Sequence, residues 1–208
     1  RRDQLLIEKV KVNFSGISFS GILFFLPIFL YFFCVTIALS ENKELSWSPS
    51  LYEQRNIYLL RHALAPGMGD PEEFNVEDCS TQRNLSAEGR KQAFRIGVRF
   101  RDNGIKTAYV VSSQWCRCLE TAKLLGFGNI TENQILNSFF DQFHLQDKRT
   151  ASLRDWLLRY QLDVPLILVT HQVNITALTG IYPTSGEAVV VKVINGDSIK
   201  VLGTIVTD

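Results

Sequence analysis

Two short apolar runs in this chain each end on a histidine. Ile57-Tyr58-Leu59-Leu60 leads into Arg61-His62, and Leu166-Ile167-Leu168-Val169-Thr170 leads into His171. Runs of four or five apolar, β-branched-rich residues between polar boundaries fit strands covered on both faces, as in a parallel sheet held between helices. Ligands of such sheets sit just beyond the carboxyl ends of the strands. Two of the three histidines therefore fall on the edge where a ligand would be met.

The rest of the chain alternates in the same way. Ser86 opens a helical pattern with Ala93, Phe94, Ile96, Gly97, Val98 and Phe100 on its period, stopped by Asn103-Gly104. Ala108–Val111 is a second strand, and Ser113 is placed to cap a helix running from about Gln114 to Leu125, with Gly126 ending it. Ile130–Asn137 leans apolar, Lys148–Leu162 reads as a helix, Pro165–Thr170 as a strand, and a helix after His171 closes at Gly180. Asn195-Gly196 between Ala188–Ile194 and Ser198–Val206 signals a hairpin. Strands alternating with helices predict a three-layer αβα sandwich around a mostly parallel central sheet.

The first 54 residues have a different character. Ile22–Leu39 is almost unbroken in apolar residues and follows Arg1, Arg2, Lys9 and Lys11, with small residues at Ala38-Leu39-Ser40. This is the layout of a signal peptide, and its length also suits a retained membrane anchor, so residues 12–39 are expected to meet a membrane and the rest to be periplasmic or secreted. A lipoprotein reading of Cys34 is disfavoured because bulky Phe33 precedes it. Residues 41–54 read as a linker, and 55–208 as the folded domain. Without residues 1–40 the chain holds 18 basic and 19 acidic residues, so it has no basic field for nucleic acid and any anion recognition must be local.

Cys79, Cys116 and Cys118 remain in that domain, and an oxidising compartment would pair Cys79 with Cys116 or Cys118. Cys-Arg-Cys has no second ligand cluster at zinc spacing, so no metal is expected.

Four segments carry chemistry: Leu59-Leu60-Arg61-His62; Arg83-Asn-Leu-Ser-Ala-Glu-Gly-Arg90 at a helix start; Ser112-Ser-Gln-Trp-Cys-Arg117-Cys-Leu-Glu-Thr121-Ala; and Val169-Thr170-His171. Guanidinium matches phosphate oxygens with a planar fork of donors, and neutral imidazole is a good nucleophile. In this order and spacing the segments resemble the histidine phosphatase superfamily, also called phosphoglycerate mutase-like, over nearly all of residues 56–193. The resemblance implies that His62 accepts the phosphoryl group while Arg61, Arg117 and His171 grip its oxygens; Arg83 is a candidate further phosphate ligand, with solvation of a loop as an equal alternative. It implies a metal-independent phosphatase with no cofactor, working through a phosphohistidine.

Other readings of these residues are weaker. Arg117 as a surface partner of Glu120 would contribute only about 0.2–0.5 kcal/mol, and His144 reads as a loop residue. Ser112 and Ser113 lack the acid and histidine order of a serine triad, and capping explains them better.

The proton donor departs from the family pattern. Asp141, in Leu136-Asn-Ser-Phe-Phe-Asp141-Gln, is the candidate, with Glu72, Glu73 and Glu187 as alternatives; without a donor the leaving group must already be a weak base. The segments Asp78-Cys-Ser-Thr-Gln-Arg-Asn-Leu-Ser86 and Thr170-His-Gln-Val-Asn-Ile-Thr-Ala-Leu-Thr-Gly180 are similar to a small exported bacterial branch that includes lipopolysaccharide-core heptose phosphatase-like proteins. That likeness implies a phosphorylated small molecule or a cell-envelope sugar phosphate as substrate. A phosphoglycerate mutase fits poorly with an exported chain. From another class, a catalytically weak or inactive phosphate-binding module of the same fold remains the alternative.

Overall fold

The computed structural model describes residues 43–47, 51, 56–160 and 163–207. The apolar segment 22–39, and with it the expectation of a signal or anchor, lies outside the described residues. Among the described residues no helix is long and apolar enough to cross a membrane.

Six strands form one sheet: β1 (Asn56–Arg61), β2 (Tyr109–Ser112), β3 (Ile130–Glu132), β4 (Leu166–Thr170), β5 (Ala188–Ile194) and β6 (Ser198–Ile205), in the order β3-β2-β4-β1-β5-β6. The pairs β2–β3, β2–β4 and β1–β4 are parallel, while β5 runs antiparallel to both β1 and β6. The hairpin of β5 and β6 turns at Asn195 and Gly196, with φ of 53° and 76°. Asn195 and Gly196 are the central residues of the turn closed by Asp197 N–H to Ile194 O at 3.2 Å, and positive φ at both matches the strand twist and is tolerated by Asn and Gly.

Alternate residues of the central strands feed two cores. Tyr58, Leu60, Val110, Ile167 and Val169 pack with Ile96 and Phe100 of α1 (Ala87–Asp102) and Ala122 and Leu125 of α2 (Cys116–Leu125). Ile57, Leu59, Val111, Leu166 and Leu168 pack with Leu153 and Leu157 of α3 (Gln146–Arg159) and Ile175 and Leu178 of α4 (Gln172–Thr179). Side chains alternate across a strand, so apolar residues at every position require a helical layer on each face. The result is the αβα sandwich, with β1 and β4 side by side at its centre.

Two local expectations shift. Residues 43–47 are not a free linker: Leu45 donates its N–H to Thr204 at 2.7 Å, and Leu45, Trp47 and Leu51 join the first core. Their apolar side chains find burial beside Phe100, which Trp47 meets edge-on with ring centroids 5.4 Å apart. The helix expected from Gln114 starts at Cys116, and the residue at its N-cap, Trp115, makes no side-chain capping bond. Ser86 does cap α1, its hydroxyl accepting from Gly89 N–H at 2.9 Å.

Candidate active site

The register of β1 and β4 places Arg61 opposite Thr170, so the residues that follow, His62 and His171, leave the sheet side by side. Their ring centroids lie 5.6 Å apart. Both are buried, at 2% and 4% exposure. Arg117 reaches the same point from the first turn of α2, and its side chain is 3% exposed. Together with Arg61, Arg83 and Asp70 these groups line one cavity of about 110 Å³, whose remaining walls include Met68, Ser138, Phe140, Val173 and Tyr182.

The His62 ring is oriented by its own backbone neighbour. Nδ1 lies 2.8 Å from the Ala63 carbonyl oxygen, so it carries the proton and donates, leaving the lone pair on Nε2. Ala63 is held in turn by Thr121, whose hydroxyl accepts the Ala63 N–H at 3.1 Å and donates to the Arg117 carbonyl at 2.7 Å. Thr121, four residues after Arg117, thus couples the α2 motif to the histidine loop. Gly89, in the helix-opening motif, lets that loop approach: a Cβ there would sit 2.0 Å from the Leu64 carbonyl oxygen. Leu64 N–H donates to Gln92 Oε1 at 2.9 Å, and Ser86 N–H donates to Leu64 O at 3.1 Å.

His171 is fixed by groups that sequence reasoning assigned elsewhere. Its Nε2 lies 2.9 Å from the Ser113 hydroxyl, which donates to Asn137 Oδ1 at 3.1 Å. Ser113, expected as a helix cap, instead serves as acceptor for this ring. Arg117 Nη2 approaches His171 Nδ1 at 3.4 Å, and since guanidinium only donates, Nδ1 is the acceptor.

Burial and the surrounding guanidinium charges both oppose imidazolium. Desolvation, then Arg117, push the pKa of His62 down to about 3, and the same causes hold that of His171 well below its ordinary value. Both rings are neutral at physiological pH.

Each of the Arg61 and Arg117 guanidinium groups that line the cavity keeps a donor without an acceptor. Arg61 gives Nη1 to the Pro183 carbonyl at 2.9 Å, but its Nε is buried without a partner, and so is Nε of Arg117. Buried donors left unpaired are costly, and two cationic ones beside a cavity fit an anionic acceptor. Arg83 donates Nε to the Gly69 carbonyl at 2.7 Å and Nη1 to that of Ala65, so it clips the loop after His62 while also lining the cavity.

The expected proton donor does not meet the site. Asp141 is exposed and is not among the residues lining the cavity. Glu72 and Glu73 are exposed, and Glu187 is turned to Thr184, accepting from its N–H at 2.7 Å. The carboxylate at the cavity is Asp70, which the sequence alone did not single out. Its only signal there was a place in the turn-rich loop after His62. Cys79 is bonded to Cys116, the residue before Arg117, while Cys118 is free and buried with its thiol pKa pushed up to about 12 by desolvation. Among the described residues no cluster of His, Cys, Asp or Glu is arranged to hold a metal ion.

Residues 57–142 match the sequence model of the histidine phosphatase superfamily (branch 1). The sequence matches no curated protein at a significant level. Solved structures with the same fold include the protein histidine phosphatase SixA complexed with tungstate, at 13% identity and a TM-score of 0.55, covering 72% of this chain and 95% of that one. A mycobacterial glucosyl-3-phosphoglycerate phosphatase is similar at 15% identity and a TM-score of 0.53, with 72% and 97% covered. A phosphoserine phosphatase variant from Entamoeba histolytica, in complex with phosphoserine, is similar at 14% identity and a TM-score of 0.52, with 74% and 98% covered. At these identities the likeness establishes the fold, a phosphoglycerate mutase-like αβα sandwich.

Proposed function

We propose that this histidine phosphatase-like domain hydrolyses a phosphomonoester through a phosphohistidine on His62. The observation that carries the reading is a buried neutral imidazole, its Nδ1 tied to Ala63, beside two buried guanidinium Nε donors that lack acceptors. The Nε2 lone pair attacks phosphorus as the bond from phosphorus to the leaving oxygen breaks. Arg61, Arg117 and His171 brace the equatorial oxygens, where charge accumulates. The substrate monoanion brings one proton on its phosphate, and its transfer to His171 Nδ1 turns that acceptor into a donor to the resulting oxyanion. Water then attacks phosphorus, the P–N bond breaks, and inorganic phosphate leaves with His62 neutral again.

Substrate choice follows from the want of a free acid among the described residues that line the cavity. Asp70, the carboxylate that lines it, is already bonded to cationic and N–H donors, so the departing oxygen takes its proton from water. Esters whose leaving groups are weak bases are favoured. Among sugar phosphates of the cell envelope, the class proposed on the branch likeness and the export-type segment 22–39, this favours anomeric phosphates, whose hemiacetal oxygen is a weaker base than an ordinary sugar alkoxide. The Cys79–Cys116 disulfide supports an oxidising, periplasmic or extracellular setting.

Incubation of the protein with a phosphorus-labelled aryl phosphate, quenched in alkaline detergent to preserve the acid-labile P–N bond, tests the mechanism. Label on His62, and loss of both label and turnover in His62→Ala, is the expected result. Phosphate binding without label or turnover would leave the non-catalytic module as the reading.

A further inference from the structure

Every hydrogen of the Arg117 guanidinium can be traced. Nη1 donates to Asp70 Oδ1 at 2.7 Å and to the Arg83 carbonyl at 3.3 Å. Nη2 donates to Asp70 Oδ2 at 3.0 Å and points its second hydrogen at His171 Nδ1, 3.4 Å away. Nε–H is buried and unpartnered. A planar guanidinium has an end fork, Nη1 with Nη2, and a side fork, Nη2 with Nε. Asp70 occupies the end fork; in the side fork the Nη2 hydrogen meets His171 Nδ1, and Nε–H alone is left without an acceptor.

Asp70 is itself saturated. Oδ1 accepts from Arg117 and from Arg83 N–H at 3.0 Å, while Oδ2 accepts from Arg117 and from Trp115 Nε1 at 3.1 Å. Four donors fill the four lone-pair positions of the carboxylate. Trp115 is stacked on Phe74 at a centroid distance of 4.8 Å, which anchors the far side of the arrangement. A carboxylate bound in this way holds its neighbours still and is poorly placed to give up a proton. Burial pushes its pKa up, but the bonds and charge of Arg117, with the N–H donors of Arg83 and Trp115, together outweigh that and keep it below the usual carboxylate value.

Resting on the proposed phosphoryl transfer, we infer that Asp70 is a positioning residue: it ties off the end fork of Arg117 so that the Nε–Nη2 edge faces His171 and grips one phosphoryl oxygen there. Its negative charge also opposes anion binding at the same cavity. Removing it should therefore impair turnover without impairing phosphate affinity, a split that general loosening of the fold would not produce.

The test compares wild type, Asp70→Asn, Arg117→Ala and the double variant on p-nitrophenyl phosphate, with inorganic phosphate as competitive inhibitor. Asp70→Asn is expected to lower kcat about tenfold, the scale of coupling between directly bonded residues, with phosphate inhibition unchanged or tighter. In the Arg117→Ala background the same change should cost less than twofold. The inference is overturned if kcat stays within twofold, if the loss recurs undiminished without Arg117, if phosphate affinity falls as far as kcat, or if the loss grows with leaving-group basicity, which would make Asp70 a proton donor.

A nitrogen-15 spectrum of the Arg117 Nε–H reads the same arrangement without turnover. Phosphate should shift that signal in wild type, and the shift should disappear in Asp70→Asn. A wild type that neither turns over nor labels His62 would refute the proposed function. This spectrum would still decide the role of Asp70.

Discussion

His62 donates Nδ1–H to the carbonyl of Ala63, the residue that follows it, at 2.8 Å. A contact so local keeps the nucleophile in one tautomer whether or not substrate is present. Because the neighbouring guanidinium groups and burial hold this ring neutral, with its pKa at about 3, the free protein should need no deprotonation of His62 at any pH above about 4. The pH profile of kcat/KM, corrected for ionisation of the substrate, should be flat from pH 5 to 7. An acidic limb near 6.5 would show that His62 is protonated in the free protein.

The same shift governs acid stability. Unfolded histidine binds a proton near pH 6.5, while folded His62 and His171 do not, so the unfolded state takes up more protons as pH falls below 6.5. His62 should remove about 1.4 kcal/mol of stability per pH unit between about 6 and 4, and His171 adds a loss in the same direction. Asp70, held below its ordinary value, adds a further loss only at lower pH, as it becomes protonated. Urea midpoints measured for wild type and His171→Asn across this range would check the slope, which should be shallower in the variant.

Ser113→Ala deletes the acceptor that orients His171 without opening a large cavity. Stability should fall by about 1 kcal/mol, the ordinary worth of a buried hydrogen bond. Turnover should drop by about tenfold or more as the ring loses its orientation. Thermal melts and steady-state kinetics on one preparation separate the two effects, and an unchanged kcat would remove Ser113 from the site.

Gly89→Ala forces a Cβ against the Leu64 carbonyl oxygen, a backbone atom that cannot swing aside. The loop joining His62 to α1 must move, and a loss of about 1–3 kcal/mol is expected, as for other overpacked positions. Because Leu64 directly follows Ala63, turnover should fall more than the melting point alone explains.

Reducing the Cys79–Cys116 bond, which closes a loop across a sequence separation of 37, should cost about 4 kcal/mol in unfolding free energy on a chain-entropy basis. It should also loosen the segment whose Gln82 side chain accepts the Cys116 N–H at 2.9 Å. Denaturant titrations with and without reductant test this, with Cys118→Ser as the control for the free thiol.

What the sequence determined by itself was local or periodic. The runs at 57–60 and 166–170 announced buried parallel strands, Asn195-Gly196 announced the hairpin, and the two histidines at strand ends located the cavity, because side-chain alternation, turn chemistry and strand direction are set by near neighbours. The tertiary structure alone decided which loop groups meet there. Asp70 joins Arg117 across 47 residues and Ser113 joins His171 across 58, while Asp141 stays exposed, Cys116 rather than Cys118 takes Cys79, and Leu45 and Trp47 settle on the core. Such pairings depend on where the sheet and helices carry distant loops. No period or motif in the chain encodes that meeting, because the partners become neighbours only after the layers have packed.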